Sequence, residues 1–209
     1  MGQRILQGVF SGYLRLLEKT VRIDWQTGEL CGSSQIFGFW HEDSFFMNLV
    51  LKNLRGKTAP VDVVVTADRR GDYIEHMIQS CGGNAIRVPD GYAAFGALKN
   101  LMRQSYEQAR SLAVALDGPL GPRHEPKKLA FYLSEQKGED FVGISLYYSV
   151  CLRMFWRWDS YVIPLPFSKV IVALKDYGEI SKREIPELPV RAEPGDAGLW
   201  DVLKYQKMV

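Results

Sequence analysis

Ile36-Phe37-Gly38-Phe39-Trp40 is a short apolar run, and it is followed by a helical pattern at Glu42–Leu54 and a β-branched run at Val61–Ala67. Short apolar runs bounded by polar residues are typical of buried strands. A strand, a helix and a second strand in this order are typical of parallel strand pairing. The stretch therefore predicts a strand–helix–strand unit in a parallel sheet.

The same alternation continues along the chain, which has 209 residues. We predict further helices at Asp72–Ser80, Ala93–Arg110 and Pro126–Lys137, and further strands at Asn84–Val88, Leu112–Leu116, Phe141–Val150 and Val170–Leu174. This pattern predicts a single α/β domain over residues 1–209, with a mostly parallel sheet flanked by helices. Three prolines between Ile185 and Gly195 predict that residues 185–209 form an irregular strap across the surface.

Residues 1–24 are predicted to form an amphipathic helix, because apolar side chains recur there at helical spacing. Residues 1–22 carry four basic side chains and one acidic side chain. Such a helix can lie on an anionic membrane surface, or it can dock on its own domain as globular helices routinely do. The sequence leaves both interpretations open.

The composition excludes several classes of protein. The 26 Lys and Arg residues nearly balance the 24 Asp and Glu residues, so the net charge of +2 gives no support for a nucleic-acid partner. The three cysteines, Cys31, Cys81 and Cys151, are widely spaced and odd in number, which predicts reduced thiols in the cytoplasm. The longest uncharged run, Phe141–Leu152, has 12 residues and is too short to cross a bilayer.

Polar side chains follow the predicted strands at the edge where a parallel sheet binds its ligands. His41 follows the first strand, Asp68 and Arg70 follow the strand at Val61–Ala67, and Arg87 follows the start of the next. Another strand leads into Asp117-Gly118-Pro119-Leu120-Gly121-Pro122-Arg123. One edge of the sheet is therefore predicted to collect a histidine, several acids and several arginines, which suits a general base beside an anion-binding site.

His41 is the candidate general base at this edge. Its predicted place at a helix N-terminus favours the neutral imidazole that a base requires, whereas the neighbouring carboxylates of Glu42 and Asp43 favour the charged form. The alternative is that His41 only caps the helix.

The loop Asp117–Arg123 contains two glycines and two prolines. Gly118 and Gly121 would expose backbone N–H groups to a ligand, and Arg123 could hold a phosphate through two hydrogen bonds. The alternative is a rigid turn with a surface arginine. The chain has no serine-hydrolase elbow, no dinucleotide fingerprint and no ligand spacing for a metal, so we expect no metal.

Three segments carry a family resemblance, namely Phe39-Trp40-His41, the Asp117–Arg123 run, and Trp158-Asp159 followed by Ile163–Ser168. They resemble the short bacterial branch of the lysophospholipid acyltransferase-like family, a branch once described as a domain of unknown function. The similarity extends in order from about Tyr13 to Gly178. The resemblance implies the fold of these acyltransferases.

The resemblance also implies acyl transfer, with His41 as general base on an acceptor hydroxyl or amine. The acyl group would come from a thioester on coenzyme A or acyl carrier protein, which serves as co-substrate, without a tightly bound cofactor. By position, Asp117, Gly118 and Arg123 resemble the block that handles acceptor phosphate, and Arg87 resembles the arginine of a second block. We expect an apolar groove for the acyl chain among the aromatic residues near His41, with Trp40 and the loop's Gly121 as further substrate contacts.

The chain departs from the family pattern at Phe46, where relatives carry the aspartate of a His-x4-Asp motif. Asp43, Asp68 and Asp117 are the candidates to orient the histidine instead.

Three functions stay open at this point. The first is transfer to a lysolipid or lipid-like acceptor by a cytoplasmic protein that contacts an anionic membrane peripherally. The second is amide formation on a soluble small-molecule amine. The third is a non-catalytic lipid- or acyl-binding protein, which the replacement of the aspartate by Phe46 favours.

Overall fold

The computed structural model describes residues 2–27, 33–67, 69–89 and 107–190, together with residues 96, 97, 100 and 103. The side chains of residues 2–7, 27, 69, 70 and 73 lie outside this description. Asp68 and most of the helix predicted at Ala93–Arg110 fall outside them, although the backbone is helical at residues 96, 97, 100, 103 and 107.

Helices and strands alternate as the hydrophobic pattern predicts. The helices are α1 (Gly2–Thr20), α2 (Ser44–Leu54), α3 (Arg69–Ser80) and α4 (Leu129–Lys137), and a short 3-10 helix (His41–Asp43) precedes α2. The strands are β1 (Arg22–Thr27), β2 (Ile36–Phe39), β3 (Val61–Thr66), β4 (Asn84–Val88), β5 (Ser111–Ala115), β6 (Phe141–Tyr148), β7 (Cys151–Arg153), β8 (Val162–Pro164) and β9 (Lys169–Asp176).

The main sheet has the order β1-β9-β6-β2-β5-β3-β4 among the described strands. Neighbours pair in parallel except β6 and β9, which are antiparallel. The prediction of a mostly parallel sheet flanked by helices is confirmed. The carboxyl ends of β2, β3, β4, β5 and β6 therefore meet at one edge, which is the edge that carries the candidate site.

Strand β2 lies in the interior of the sheet and is buried on both faces, because its side chains alternate between two apolar clusters. Phe37 and Phe39 pack in a cluster with side chains of α1, α2 and α3. Ile36 packs in a second cluster with Phe131 of α4. The result is a three-layer arrangement with the sheet between two layers of helices.

The N-terminal prediction was too long. Helix α1 ends at Thr20, and residues 22–24 belong to strand β1, which pairs in parallel with β9. The segment Arg22-Ile23-Asp24-Trp25 alternates polar and apolar side chains with a period of two, which is the pattern of a strand.

Helix α1 docks on its own domain. Leu14 and Leu17 are buried, and the rings of Phe10 and Tyr13 each lie 6.0 Å from the ring of Phe45 in α2. These contacts favour the docked interpretation of the amphipathic helix over the membrane-bound one. No helix in the described part of the chain is long and apolar enough to cross a bilayer.

Two other segments differ from the prediction. Strand β6 ends at Tyr148, and a hairpin of β7 and β8 follows that the sequence did not predict. Helix α4 begins at Leu129 rather than at Pro126. The predicted irregular strap is described only for residues 185–190, which lack regular structure there.

Gly38 provides a test of the packing at the centre of the sheet. A Cβ at this position would lie 2.6 Å from the ring of Phe141 and 2.8 Å from Leu116, both of them buried. Gly38→Ala should therefore lower the free energy of unfolding by about 1–3 kcal/mol through overpacking. The control is Gly8→Ala in α1, where a Cβ meets nothing within 4 Å and helix propensity should rise. Equal urea midpoints for the two variants would contradict the packing described here.

Candidate active site

His41 lies directly after β2, in the 3-10 helix that leads into α2. Its backbone N–H donates a hydrogen bond to Oδ1 of Asp117 at 2.9 Å, and its carbonyl accepts one from the hydroxyl of Ser44 at 2.7 Å. The imidazole ring lies 5.3 Å from the indole ring of Trp158. The histidine is therefore held through its backbone, and its half-buried ring lies beside an aromatic side chain.

Asp117 links two segments of the site. Its carboxylate is completely buried and also accepts a hydrogen bond from the backbone N–H of His124 at 3.3 Å through Oδ2. Burial raises the pKa of Asp117, against the opposing effect of the hydrogen bonds from His41 and His124. Asp117 therefore fixes the backbone at His41 rather than contacting a ligand from an exposed position.

Glu42 is the centre of a buried ionic network next to His41. Its carboxylate is 1% exposed and accepts hydrogen bonds from Nε and Nη2 of Arg123 at 3.1 and 2.8 Å. Nη1 of Arg153 lies 3.5 Å away, and Nε2 of His124 lies 3.3 Å away. Two guanidinium groups thus compensate the negative charge that directly follows His41, which weakens its pull toward an imidazolium.

Asp43 is buried and accepts a hydrogen bond from the hydroxyl of Tyr148 at 3.0 Å. Of the three acids predicted to orient His41, Asp117 contacts its backbone, Asp43 contacts Tyr148, and Asp68 lies outside the described residues. Asp117 therefore positions His41 by accepting a hydrogen bond from its backbone N–H.

Several predicted substrate-binding residues have structural partners. Arg87 donates to Oε2 of Glu75 at 3.0 Å, to the carbonyl of Thr66 at 2.8 Å and to Asp72. It thereby joins β3, β4 and α3, which explains its place at the strand end without a ligand. The side chain of Arg70 is not among those described.

Trp40, which the sequence predicts as a substrate contact, is buried in the cluster on the α4 face. Its ring is 4% exposed, lies 5.0 Å from the ring of His124, and donates a hydrogen bond from Nε1 to the carbonyl of Pro189 at 2.8 Å. Trp40 follows the last residue of β2 and belongs to the cluster on the α4 face, where it anchors residues 185–190. Because side chains alternate along a strand, Phe39 and Trp40 lie on opposite faces of the sheet.

The loop after β5 is shaped by two glycines. Gly118 and Gly121 have φ values of +67° and +69°, which side chains rarely adopt, and a Cβ at Gly121 would overlap the ring of Trp158. The N–H of Gly118 donates to the carbonyl of Ala115 at 3.2 Å, and the N–H of Lys127 closes the loop by donating to Leu116 at 2.7 Å. Glycine here allows close packing of the loop against Trp158.

A cavity of about 280 Å³ opens beside His41. Its walls come from α2, α3, β3 and the end of β5, and its lining is mostly aliphatic, with Met47, Leu51, Val63 and Ile78 among the lining residues. His41, Ser44 and Gly118 lie along the same cavity. The expected groove of aromatic residues is therefore replaced by an aliphatic cavity, in which Phe39 is the aromatic member among the described residues.

Sequence reasoning missed the partners of Glu42. Arg123 and Arg153 are 81 and 111 residues away along the chain, so no local spacing connects them to Glu42. The available signal was a carboxylate placed directly after a buried strand, because a charge in that position requires cations around it.

No protein-family model matches the chain. No curated protein matches it either. Among solved structures, the chain is similar to the 1-acyl-sn-glycerophosphate (LPA) acyltransferase PlsC from Thermotoga maritima, with a TM-score of 0.47 and 15% sequence identity. The alignment covers 98% of this chain and 75% of that one. The function of the present chain is therefore inferred from its own residues.

Removing the carboxylate of Glu42 tests the ionic network. Glu42→Ala leaves Arg123 and Arg153 without their buried counter-charge, so it should lower the free energy of unfolding by about 3–5 kcal/mol. The control is Glu125→Ala, which removes an exposed carboxylate paired with Lys127 and should change stability by less than about 0.5 kcal/mol. Urea unfolding curves for both variants check this, and similar losses in the two would refute a buried network.

The raised pKa of Asp117 gives a pH dependence with a definite sign. The native state binds a proton more readily than the unfolded state, so the contribution of Asp117 to stability is largest at low pH and falls as the pH rises through its native pKa. Asp117→Asn cannot titrate. The unfolding free energy of the wild type minus that of Asp117→Asn should therefore decrease as the pH rises from acidic toward neutral values.

Urea unfolding of both proteins across this pH range measures the difference. A difference that increases with pH would mean that the hydrogen bonds from His41 and His124 outweigh burial, and that the pKa of Asp117 is lowered.

Proposed function

We propose that the protein is an acyltransferase that moves an acyl group from an acyl thioester to an acceptor hydroxyl or amine, with His41 as general base. The observation that carries the proposal is that His41 lines the 280 Å³ aliphatic cavity at the carboxyl edge of the sheet. In this proposal the imidazole of His41 acts as the base, and the apolar cavity beside it binds the acyl chain. The motif resemblance around His41, Asp117 and Trp158 points to the same chemistry.

In this mechanism the imidazole takes the proton of the acceptor O–H or N–H while the acceptor attacks the thioester carbonyl. The tetrahedral intermediate then collapses, the carbon–sulfur bond breaks, and the imidazolium returns the proton to the leaving thiolate. No covalent acyl-enzyme is needed, so the scheme requires no nucleophilic serine or cysteine. Compensation of Glu42 by Arg123 and Arg153 helps to keep His41 neutral before the transfer.

The aliphatic cavity supplies the binding energy for the acyl chain. Each methylene that leaves water for an apolar site contributes about 0.8 kcal/mol, so a medium-length chain needs no polar contact to be retained. Met47 and Leu51 of α2 and Ile78 of α3 would contact the chain below His41. The carrier that brings the chain is coenzyme A or acyl carrier protein.

The loop after β5 would stabilise the negative charge that develops on the carbonyl oxygen. The N–H of Gly118 is already bonded to Ala115, which leaves the part of the loop near Gly121 as the source of donors in this proposal. Arg123 uses Nε and Nη2 to hold Glu42, so its contribution to the site is through that network.

The acceptor in the first form of the proposal is a lysolipid or a lipid-like molecule. A small-molecule amine is the second candidate, and one observation favours it. Arg87 and Arg123, the arginines expected to bind an acceptor phosphate, are both bonded to carboxylates of the protein. The reduced thiols Cys81 and Cys151 fit a cytoplasmic location for either reaction.

Thiol release from acyl-coenzyme A tests the proposal, measured with a free-thiol reagent and a panel of lysolipid, alcohol and amine acceptors. His41→Ala should reduce the acceptor-dependent rate by about 100-fold or more while leaving the fold intact. The control is His76→Ala, an exposed histidine on α3 that lies outside the site, and it should retain the wild-type rate.

Full activity in His41→Ala would overturn the mechanism. Stoichiometric retention of the acyl thioester without thiol release, across the whole panel, would identify a non-catalytic acyl-binding protein instead. The acceptor that supports the fastest release decides between hydroxyl and amine transfer.

A further inference from the structure

The structure exposes a set of large apolar side chains beside the candidate site. We call this set the apolar rim, and its six members are 53–85% exposed. They are Leu120, Val150, Leu152, Phe155, Trp156 and Phe167. Single exposed apolar side chains are ordinary, but a cluster of this size on a soluble domain marks an interaction surface.

The rim is continuous with the site. Strands β7 and β8 pair only with each other among the described strands, as a small sheet separate from the main one, and carry Leu152. Phe155 and Trp156 lie in the turn between these strands. Trp158, also in this turn, contacts both Gly121, the neighbour of Leu120, and the ring of His41.

Phe167 lies next to the same β7–β8 hairpin. It lies between β8 and β9, and the N–H of Leu165 donates to the carbonyl of Val150 at 3.2 Å, which brings the two ends of the hairpin together. Phe167 is 85% exposed and has a φ of +64°, so a large apolar side chain is held outward at a position where the backbone is strained.

The rim segment pairs its cations within the protein, Arg153 with Glu42, Arg157 with Asp159 and Lys169 with Asp24. The hairpin and its flanks, Val150–Lys169, contain two arginines and one lysine but a single acid, Asp159. The carboxylate of Asp159 is completely buried and is held by Arg157 through two hydrogen bonds of 2.8 and 2.7 Å. No carboxylate of this segment is exposed to repel anionic headgroups.

We propose that the apolar rim inserts into the interfacial region of a lipid bilayer and places the mouth of the His41 cavity at the membrane surface. Exposed tryptophan and phenylalanine are side chains that insert into the interfacial region of a bilayer. The exposed cations Arg157 and Lys169 are already paired with Asp159 and Asp24, so apolar insertion rather than charge dominates this surface. A surface whose apolar side chains are exposed and whose cations are paired suits a bilayer better than an acidic carrier protein.

This inference differs from membrane binding by the N-terminal helix, because the described apolar residues Phe10, Tyr13, Leu14 and Leu17 of α1 pack on its own domain. It also does not depend on the proposed chemistry, since insertion can be measured without a reaction. The exposed apolar residues of α1, Val9 and Leu16, provide a matched comparison.

The experiment is flotation of the full chain with vesicles of equal parts phosphatidylcholine and phosphatidylglycerol. The double variant Trp156→Ser/Phe167→Ser should weaken partition by about tenfold or more, since two large apolar side chains are lost from the buried surface. The control variant Val9→Ser/Leu16→Ser removes two exposed apolar side chains from α1 and should bind as the wild type does. Thermal unfolding verifies that both variants are folded.

Three outcomes would overturn the proposal. In the first, neither the wild type nor the variants float with the vesicles. In the second, the wild type and Trp156→Ser/Phe167→Ser bind equally. In the third, only the α1 variant loses binding. Self-association, or retention by an acyl carrier protein without vesicle binding, would identify the rim as a protein interface and contradict it as well. Thiol release from a soluble short-chain thioester reports on the chemistry separately, and the rim variant should leave it unchanged.

Discussion

The buried carboxylate of Asp117 links the end of β2 to the loop after β5, and the arrangement of the site depends on this link. One oxygen accepts the N–H of His41 and the other accepts the N–H of His124. His41 follows the end of β2 and His124 lies in the loop after β5, so the carboxylate fixes these two segments relative to each other. The cost of burying the carboxylate appears as a raised pKa, so the site is held together by a group that is itself unfavourably placed.

The second constraint is the charge of Glu42. A carboxylate that is 1% exposed requires cations, and Arg123 and Arg153 bring the loop after β5 and the hairpin strand β7 to the start of α2. The same contacts that compensate Glu42 thereby assemble three separate segments around His41. Trp158 completes this arrangement by packing between the imidazole ring and Gly121. Electrostatic compensation of Glu42 and positioning of His41 are thus one structural feature.

The fold could be predicted from the sequence because its strands are short apolar runs separated by helical patterns. The run at Ile36 forms β2, and Asn84–Val88 forms β4 with the predicted bounds. Strand β1 was hidden by its overlap with the amphipathic helix, and the β7–β8 hairpin by its few residues per strand. Within the site, sequence order was sufficient to place His41 and Asp117 at one edge. It could not show that Trp40 faces the opposite cluster, or that Arg87 and Arg123 are bonded to carboxylates, because those partners come from other elements.

As proposed, His41 and the aliphatic cavity form one acyl-binding site. The most direct measurement is a crystal structure with an acyl-coenzyme A analogue in which a methylene separates the sulfur from the carbonyl carbon. We expect the acyl chain to lie in the cavity between α2 and β3, against Met47 and Ile78. The carbonyl carbon should lie within about 6 Å of the His41 imidazole, so that one acceptor atom fits between them. An acyl chain bound elsewhere on the molecule, with this cavity unchanged, would contradict it.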